Sequence, residues 1–212
     1  MKITLYLMTQ KGFEVLKAII ERKFYPLISE VVVGRDKNIE NDFADEIKSI
    51  CRKNNINCIE RNKDFQATSD YSIAISWRWL IPNNKSKLIV LHDSLLPKYR
   101  GFAPLVSMLC NKEKVIGVTA IFASEEYDKG DIIAQSTTEI NYPIKIADAI
   151  NIISKNYVDL VIKIITSIEK GEEIVAVTQE EKNATYSLWR DEEDYIIDWS
   201  KDSDEILTFK PI

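Results

Sequence analysis

Histidine is almost absent from this chain, with one residue in 212. Cysteine adds little to the set of metal ligands, because Cys51, Cys58 and Cys110 form no CxxC pair, so the sequence predicts no metal site. An odd number of cysteines without paired spacing is typical of a reducing compartment, where thiols behave as small apolar side chains. We therefore expect a cytoplasmic protein.

Long apolar runs and an excess of positive charge are also missing. The N-terminal run, residues 3–8, is too short for a signal peptide, and residues 144–168 are interrupted by seven charged or amide side chains. We therefore expect no contact with a membrane. The chain has 28 Lys and Arg against 33 Asp and Glu, a formal net charge of −5, which argues against a nucleic-acid partner held through its phosphates.

What remains is an ordinary globular composition in a chain long enough for one domain. Short β-branched runs alternate with helical patterns, which predicts an α/β fold with a Rossmann-like, doubly wound and mostly parallel sheet. We predict strands at residues 3–7, 30–33, 57–60, 71–76, 87–92, 117–123 and 131–140, and helices at residues 13–23, 42–54, 104–111 and 144–170. We expect residues 1–180 to form this domain and residues 181–212 to be a C-terminal extension that packs on it or on a partner subunit.

Two segments place a polar side chain where a ligand of such a sheet would bind, beyond the carboxyl end of a strand. His92 ends a predicted strand and begins the sequence HDSLLPKYRG, and Asp128 follows 36 residues later in the sequence DKGDI. A carboxylate that returned to the imidazole would orient the ring and stabilise its charged form. Taken alone, these residues are explained more simply by a structural histidine and a turn-forming aspartate.

Together, the two segments resemble the formyltransferases that transfer a formyl group from 10-formyltetrahydrofolate to an amine. The similarity extends weakly over residues 1–179 and resumes at residues 184–186 (ATY) and 196–200 (IIDWS). The resemblance implies the formyltransferase fold, 10-formyltetrahydrofolate as cosubstrate and no metal. It also implies that His92 is the general base or proton shuttle and that Asp128 orients its ring.

One position departs from the family pattern. The family has an asparagine two residues before the histidine, whereas this chain has Val90, which donates no hydrogen bond. Losing one donor to a developing oxyanion typically costs about 10²–10³ in turnover. The candidate replacements are a backbone N–H, a protonated His92, Arg78, Asn83 and Asn84, and the sequence does not choose among them. Asp93 also stands where relatives often have proline or glycine.

The resemblance places the folate pocket in the loop before the His92 strand and in the loop of Asp128. The residues implied there are Trp77, Arg78, Trp79, Leu80, Ala123, Glu125 and Tyr127. Stacking of the two tryptophans on a pterin ring and simple cover of the sheet end are equally open. The acceptor would lie against the loop after His92, which contains Ser94, Lys98, Tyr99, Arg100 and Gly101. The arginine suits a pyrophosphate, although a solvated basic loop explains the same residues.

The acceptor is inferred by elimination within the family. A glycinamide ribonucleotide enzyme would need a glycine-rich phosphate cradle after the first strand, where this chain has MTQKG. A tRNA enzyme would need a basic surface and, in relatives, a further C-terminal domain. By size, and by residues 12–16 (GFEVL), the chain most resembles nucleotide-sugar N-formyltransferases.

We therefore expect a nucleotide-linked amino sugar as the small-molecule substrate, and a homodimer formed through the tail. Three alternatives stay open. One is a formyltetrahydrofolate hydrolase, and another is an enzyme like methionyl-tRNA formyltransferase. The third is a folate or nucleotide-sugar binding protein in which Val90 has weakened catalysis.

Overall fold

The computed structural model describes residues 1–81, 86–203 and 206, and its elements follow the predicted order. The strands are β1 (Ile3–Leu7), β2 (Ile28–Val33), β3 (Asn57–Glu60), β4 (Tyr71–Ile75), β5 (Lys87–His92), β6 (Arg100–Gly101), β7 (Val115–Phe122), β8 (Ile132–Glu139) and β9 (Tyr186–Ser187). The helices are α1 (Thr9–Glu21), α2 (Ala44–Lys53), α3 (Pro104–Cys110) and α4 (Ile146–Lys170), with 3₁₀ turns at Tyr25–Leu27, Glu181–Asn183 and Glu193–Tyr195. Predicted Asn83 and Asn84 lie outside the described residues, as does the end of the tail.

Seven of the strands form one sheet in the order β3-β2-β1-β4-β5-β7-β8. The first five are parallel, while β7 is antiparallel to both β5 and β8. The chain winds outward from β1 in both directions, so the predicted mostly parallel α/β sheet is confirmed. The carboxyl ends of β1, β4 and β5 lie at one edge, where the sequence predicted a site.

The two faces of this sheet are covered in different ways. One face joins the large hydrophobic core, to which helices α1, α2, α3 and α4 all contribute buried side chains. The other face presents Tyr6, Val32 and Ala74, on which Phe65 and Trp77 pack from the connections that follow β3 and β4. In the part of the chain that the structure describes, loops rather than helices therefore close the second face.

Helix boundaries differ from the prediction where backbone contacts, not apolar spacing, decide them. Helix α1 begins at Thr9 rather than at residue 13, and the N–H of Gly12 donates to the carbonyl of Met8 at 3.0 Å. A Cβ on Gly12 would lie 3.0 Å from the Cβ of Leu7, so the helix packs closely on the end of β1. Helix α4 ends at Lys170 and is followed, as predicted, by Gly171 as a left-handed cap residue (φ +69°).

The tail is attached to the loop that follows His92. Strand β9 pairs in parallel with β6, so that Arg100 lies opposite Tyr186 and Gly101 opposite Ser187. The N–H of Arg100 donates to the carbonyl of Thr185 at 2.9 Å. The described tail therefore supports this loop, while a separate extension over residues 181–212 stays a prediction.

Residues 1–81, 86–203 and 206 contain neither a membrane-spanning helix nor a metal-binding cluster. No helix there is long and apolar enough to cross a membrane. No group of three or more His, Cys, Asp or Glu side chains there is arranged to hold a metal ion. The three cysteines are free thiols.

Candidate active site

The imidazole of His92 lies between a carbonyl and a carboxylate at the end of β5. Its Nε2 lies 2.8 Å from the carbonyl oxygen of Tyr99, and its Nδ1 lies 3.4 Å from Oδ1 of Asp128. Because a carbonyl oxygen only accepts, Nε2 carries a proton in this arrangement. Nδ1 then faces the carboxylate either as a free lone pair or, in the imidazolium, as a second donor. The ring is thus placed to take up a proton beside a negative charge.

The conformation of its own loop brings Asp128 back to His92. Asp128 adopts the left-handed backbone conformation (φ +59°), and its Oδ2 accepts the N–H of Gly101 at 2.9 Å. Two residues later, a Cβ on Gly130 would lie 1.6 Å from the carbonyl oxygen of Phe122. Glycine is therefore required there for the loop to pass so close to β7.

Hydrogen bonds to β7 fix the loop that follows His92. The hydroxyl of Thr119 donates to the carbonyl of Ser94 at 2.6 Å and accepts the N–H of Leu96 at 3.0 Å. Gln135 of β8 donates to the same hydroxyl at 2.9 Å and to the carbonyl of Leu96 at 2.8 Å. The antiparallel strands β7 and β8 thus position the loop that follows the histidine.

Two predicted acceptor contacts point away from the His92 ring. Ser94 is fully buried, and its hydroxyl donates to the carbonyl of Lys98 at 2.7 Å. The phenol of Tyr99 donates to Glu113 at 2.7 Å and accepts from Asn111 at 3.0 Å. At Tyr99 it is the backbone carbonyl, not the side chain, that touches the histidine.

The guanidinium of Arg100 is occupied within the chain. It is 1% exposed and donates to Gln179 Oε1 at 2.8 Å and to Glu181 at 2.8 Å. Burial alone would lower the pKa of Arg100, but the hydrogen bond to Glu181 keeps it above its ordinary value. Gln179 in turn donates to the carbonyls of Asp128 and Gly130, both at 2.8 Å. Arg100 therefore supports the Asp128 loop, and contact with a pyrophosphate would require it to leave these partners.

Lys98 and Gly101 are the other two predicted acceptor residues. The side chain of Lys98 is exposed to solvent. Gly101 has φ +100°, and a Cβ there would lie 2.6 Å from the carbonyl oxygen of Ser187. Of the five predicted acceptor residues, Lys98 presents a free charged group, and Gly101 contributes through its N–H to Asp128.

A cavity of about 380 Å³ lies on the loop-covered face of the sheet. Five of the seven predicted folate residues line it: Trp77, Arg78, Trp79, Leu80 and Tyr127. Its aromatic walls are joined by edge-to-face contacts, since the ring of Trp77 lies 5.2 Å from both Tyr6 and Trp79. Because Tyr127 directly precedes Asp128, the cavity reaches the loop that carries the carboxylate.

The remaining folate predictions are placed differently. Ala123 and Glu125 are exposed and do not line the cavity, although the N–H of Ala123 donates to the carbonyl of Leu88 at 2.9 Å. Arg78 lines the cavity but is held by Asp36, with 2.5 Å between Nη1 and Oδ2. As a replacement donor at the Val90 position, Arg78 would have to leave this ion pair.

Val90 lies two residues before His92, on the same face of β5. It is half-buried, faces Ala74 and Ile121 on the neighbouring strands, and packs on the cluster that contains Tyr6. Its surroundings are apolar, and the side chain brings no donor to the histidine. The imidazole therefore has the apolar Val90 before it on the same face of β5 and the carboxylate of Asp128 at its Nδ1.

Sequence reasoning missed two sets of polar residues near the site. Arg61 and Lys63 line the cavity, and the guanidinium of Arg61 stacks on Trp79 with its carbon 4.3 Å from the ring centre. Both follow β3, so the strand-end rule used for His92 applied equally to them. Lys11 and Tyr157, which bind Asp93, gave no signal in the sequence because three distant segments form that cluster.

Comparisons with known proteins identify the family of this chain. Residues 57–161 match the family model described as formyl transferase, a range that contains both His92 and Asp128. The methionyl-tRNA formyltransferase of Fusobacterium nucleatum is 33% identical over 156 residues, which is 71% of this chain and 49% of that protein. The chain thus spans about half the length of this curated relative.

Solved structures share the fold over nearly the whole chain. WlaRD, a sugar 3-N-formyltransferase solved in the presence of dTDP and 5-formyl-THF, has a TM-score of 0.79 at 23% identity, covering 99% of this chain and 77% of that one. An N-formyltransferase from Helicobacter canadensis, solved with folinic acid and dTDP-3-aminofucose, has a TM-score of 0.78 at 19% identity, with coverages of 99% and 79%.

The fold is thus a mostly parallel α/β sheet with a histidine and an aspartate at its carboxyl edge. The chain carries a formyl transferase domain, and the family predicted from the His92 and Asp128 segments is confirmed.

Proposed function

We propose that this protein is an N-formyltransferase that moves the formyl group of 10-formyltetrahydrofolate to the amine of a nucleotide-linked amino sugar. The observation that carries the proposal is the contact between His92 and Asp128, 3.4 Å apart, beside an aromatic cavity within a formyl transferase domain. An imidazole backed by a carboxylate is suited to remove a proton from an amine during attack.

The proton balance of the transfer fits this pair. The amine nitrogen forms a bond to the formyl carbon, and the bond from that carbon to N10 of the folate breaks. The amine must lose one proton, and N10 must gain one. Because Nε2 of His92 donates to the carbonyl of Tyr99, Nδ1 is the nitrogen that can accept the amine proton, and Asp128 stabilises the imidazolium that results. Nδ1 then gives this proton to N10 as the bond from N10 to the formyl carbon breaks, which returns His92 to the neutral state.

The developing negative oxygen needs a donor other than a side chain at Val90. The imidazolium of His92 is the charged donor that the geometry offers, because its protonated Nδ1 side is the polar side of the ring. We therefore assign both tasks, proton uptake and stabilisation of the oxygen, to the same ring.

Support for the substrates comes from the cavity and from proteins of the same fold. Aromatic walls suit a flat pterin, and Arg61 and Lys63 give the cavity a positive lining that suits the carboxylates of folate. One protein of the same fold is a sugar 3-N-formyltransferase solved with dTDP and 5-formyl-THF, and another is an N-formyltransferase solved with folinic acid and dTDP-3-aminofucose. The expected homodimer stays a prediction, and the surface it would use is the exposed apolar set Phe102, Tyr186, Leu188, Trp189, Ile196 and Trp199.

A second candidate follows from the curated relatives. These are methionyl-tRNA formyltransferases, and the Fusobacterium protein shares 33% identity, more than the sugar enzymes do. The net charge of −5 weighs against a tRNA partner, which binds through neutralised phosphates.

The experiment that tests the proposal offers each acceptor in turn. Purified protein and 10-formyltetrahydrofolate are mixed with dTDP-linked, UDP-linked and GDP-linked 3-amino and 4-amino sugars, with methionyl-tRNA, or with no amine. We expect tetrahydrofolate release and a formylated product with an amino sugar only. Release without any amine would identify a hydrolase, formylation of the tRNA would identify the second candidate, and binding without turnover a binding protein.

Variants of the site provide the control. His92→Ala and Asp128→Asn should each lower kcat, by about 10²-fold or more, because the proton acceptor or its partner is lost. Tyr142→Phe removes a hydroxyl bonded to the Glu113 carbonyl at 2.9 Å and should keep wild-type kcat. Wild-type turnover in His92→Ala would contradict the assigned role.

A further inference from the structure

A largely buried ion pair, with both side chains still partly exposed, lies on the helical side of β5, directly behind the histidine. Asp93 follows His92 in the chain, and its carboxylate forms an ion pair with Lys11 of α1; their side chains are 18% and 12% exposed. Tyr157 of α4 is 1% exposed, and its hydroxyl lies 2.6 Å from Asp93 Oδ1. Two helices thus hold one carboxylate at the end of the strand.

The same hydroxyl also reaches the residue before the histidine. Tyr157 Oη lies 3.2 Å from the carbonyl oxygen of Leu91, so its one O–H proton, donated chiefly to Asp93 at 2.6 Å, is shared with an acceptor on the other side of His92. The ammonium of Lys11 lies 5.6 Å from the centre of the Tyr157 ring, which ties the two partners of Asp93 to each other.

Burying these charges has a cost that packing alone does not explain. A carboxylate and an ammonium both lose hydration here, and apolar side chains of similar size would avoid that loss. What the cluster adds is a fixed position for the backbone on either side of His92, because its contacts are made with Leu91 and Asp93. A buried polar cluster of this kind fixes one arrangement of the backbone when every member is bonded.

We propose that Asp93, held by Lys11 and Tyr157, is a positioning residue for His92. The cluster fixes the carbonyl before the histidine and the side chain after it, and so sets the direction in which the imidazole leaves the strand. This keeps Nε2 at the Tyr99 carbonyl and Nδ1 beside Asp128. The effect on turnover rests on the proposed function, but the placement of the ring can be measured without substrate.

The test uses the single histidine of the chain, because the NMR signal of its Hε1–Cε1 group reports on His92 alone. Tyr157→Phe removes the shared hydroxyl and leaves both charges in place. We expect the His92 signal to shift or broaden. We also expect kcat to fall about tenfold while KM for 10-formyltetrahydrofolate stays within twofold, because a misplaced reacting group slows the chemical step.

Tyr142→Phe is the matched control, since it also removes one hydroxyl that donates to a backbone carbonyl. It should leave the His92 signal and kcat as in the wild type. If Tyr157→Phe gives the wild-type signal and a kcat equal to that of Tyr142→Phe, the proposal is overturned.

A second pair of variants tests the same proposal if Tyr157→Phe does not fold. Asp93→Asn keeps an oxygen that can accept from Tyr157, whereas Asp93→Ala removes it. We expect the His92 signal of the asparagine variant to lie closer to the wild type than that of the alanine variant. A wild-type signal in Asp93→Ala would overturn the proposal. A wild-type protein that transfers no formyl group would overturn the proposed function and still leave the NMR comparison decisive.

Discussion

Both ring nitrogens of His92 face acceptors, and this governs the chemistry at the scale of the residue. Only the imidazolium can donate to the Tyr99 carbonyl and to Asp128 at once. In the neutral ring, Nδ1 faces the carboxylate of Asp128 with a free lone pair. This lone pair can accept a proton from an amine. The neutral ring can therefore take up one proton, at Nδ1, in the step we assign to it.

Val90 offers the sharpest test at this scale. We expect Val90→Asn to raise kcat by about tenfold or more, since one donor to an oxyanion is typically worth about 10²–10³ in turnover. The same change should lower the free energy of unfolding by about 1–2 kcal/mol, because a half-buried amide replaces an apolar side chain among Tyr6 and Ala74. Steady-state kinetics and urea unfolding measure the two effects.

Val90→Ala is the control that distinguishes the effect of a new hydrogen-bond donor in Val90→Asn from the effect of removing the valine side chain. It also opens room beside the histidine but brings no N–H, so its kcat should stay at the wild-type value. If Val90→Asn is no faster than Val90→Ala, a donor already occupies that place, and the assigned role of the His92 imidazolium would gain support over the amide.

Residue identity was easier to predict than side-chain direction. His92 and Asp128 were predicted from two sequence segments that resemble the formyltransferase pattern, and the structure brings their side chains to 3.4 Å from each other. Ser94, Tyr99 and Arg100 were placed on the acceptor side, but their polar groups turn to Lys98, Glu113 and Gln179 instead. Two of these partners lie 14 and 79 residues away in the chain, and local sequence carries no trace of them.

At the scale of the element, the Asp128 loop connects β7 to β8 in a conformation that its contacts fix. It is held by Gln179 at the carbonyls of Asp128 and Gly130, and it passes the carbonyl of Phe122 too closely for any side chain. The loop therefore depends on a glycine for its path and on the chain after α4 for its support.

Gly130→Ala should displace this loop. The added Cβ would meet the Phe122 carbonyl oxygen at 1.6 Å, so we expect unfolding to become easier by about 1–3 kcal/mol, as for other overpacked sites. Displacement of Asp128 should lower kcat/KM by about 10²-fold. Lys129→Ala, whose side chain bonds Glu126 on the surface, should change neither quantity much. Full activity in Gly130→Ala would mean that the loop tolerates the shift.

Element positions were predicted well because they follow from local patterns. Strands at residues 3–7, 57–60 and 87–92 begin and end as expected from their β-branched runs. The early start of α1 and the pairing of β6 with β9 were missed, since the first depends on contact with Leu7 and the second on a segment 86 residues away.

At the scale of the whole molecule, helices on one face and loops on the other divide the protein by task. The helical face holds the large core and the Lys11, Asp93 and Tyr157 cluster. The loop face holds the cavity, the histidine ring and Val90. The stabilising cluster and the candidate site are thus adjacent at the end of β5, because Asp93 belongs to the cluster and His92, the residue before it, belongs to the site.

This arrangement predicts that the contribution of Asp93 to the free energy of unfolding decreases in acid. Burial alone would raise the pKa of Asp93, but Lys11 and Tyr157 lower it below its ordinary value of 3.8. A carboxyl with a lowered folded-state pKa stabilises the protein above its unfolded pKa and loses that effect as pH falls through the folded pKa. Asp93→Asn resembles the protonated state, so it should be less stable than the wild type by about 3 kcal/mol near neutral pH.

Thermal or urea unfolding between pH 7 and pH 2 measures this difference. We expect it to shrink progressively as pH falls below 3.8, because the wild-type carboxyl then becomes protonated in the unfolded state. Asp198→Asn is a suitable control, because its carboxylate, whose pKa is lowered by Ser200, is exposed on the surface. A difference that stays constant down to pH 2 would mean that the charge of Asp93 does not contribute.

The amino-acid sequence by itself determined the order of strands and helices, the mostly parallel sheet and the two segments that carry His92 and Asp128. These are local properties, since hydrophobic period, glycine placement and residue type act over a few positions. Only the tertiary structure decided which polar groups face the histidine and which turn into the fold, and that Asp93 is held from behind by Lys11 and Tyr157. Such contacts join residues far apart in the chain, and their geometry exists only once the sheet and its helices have packed.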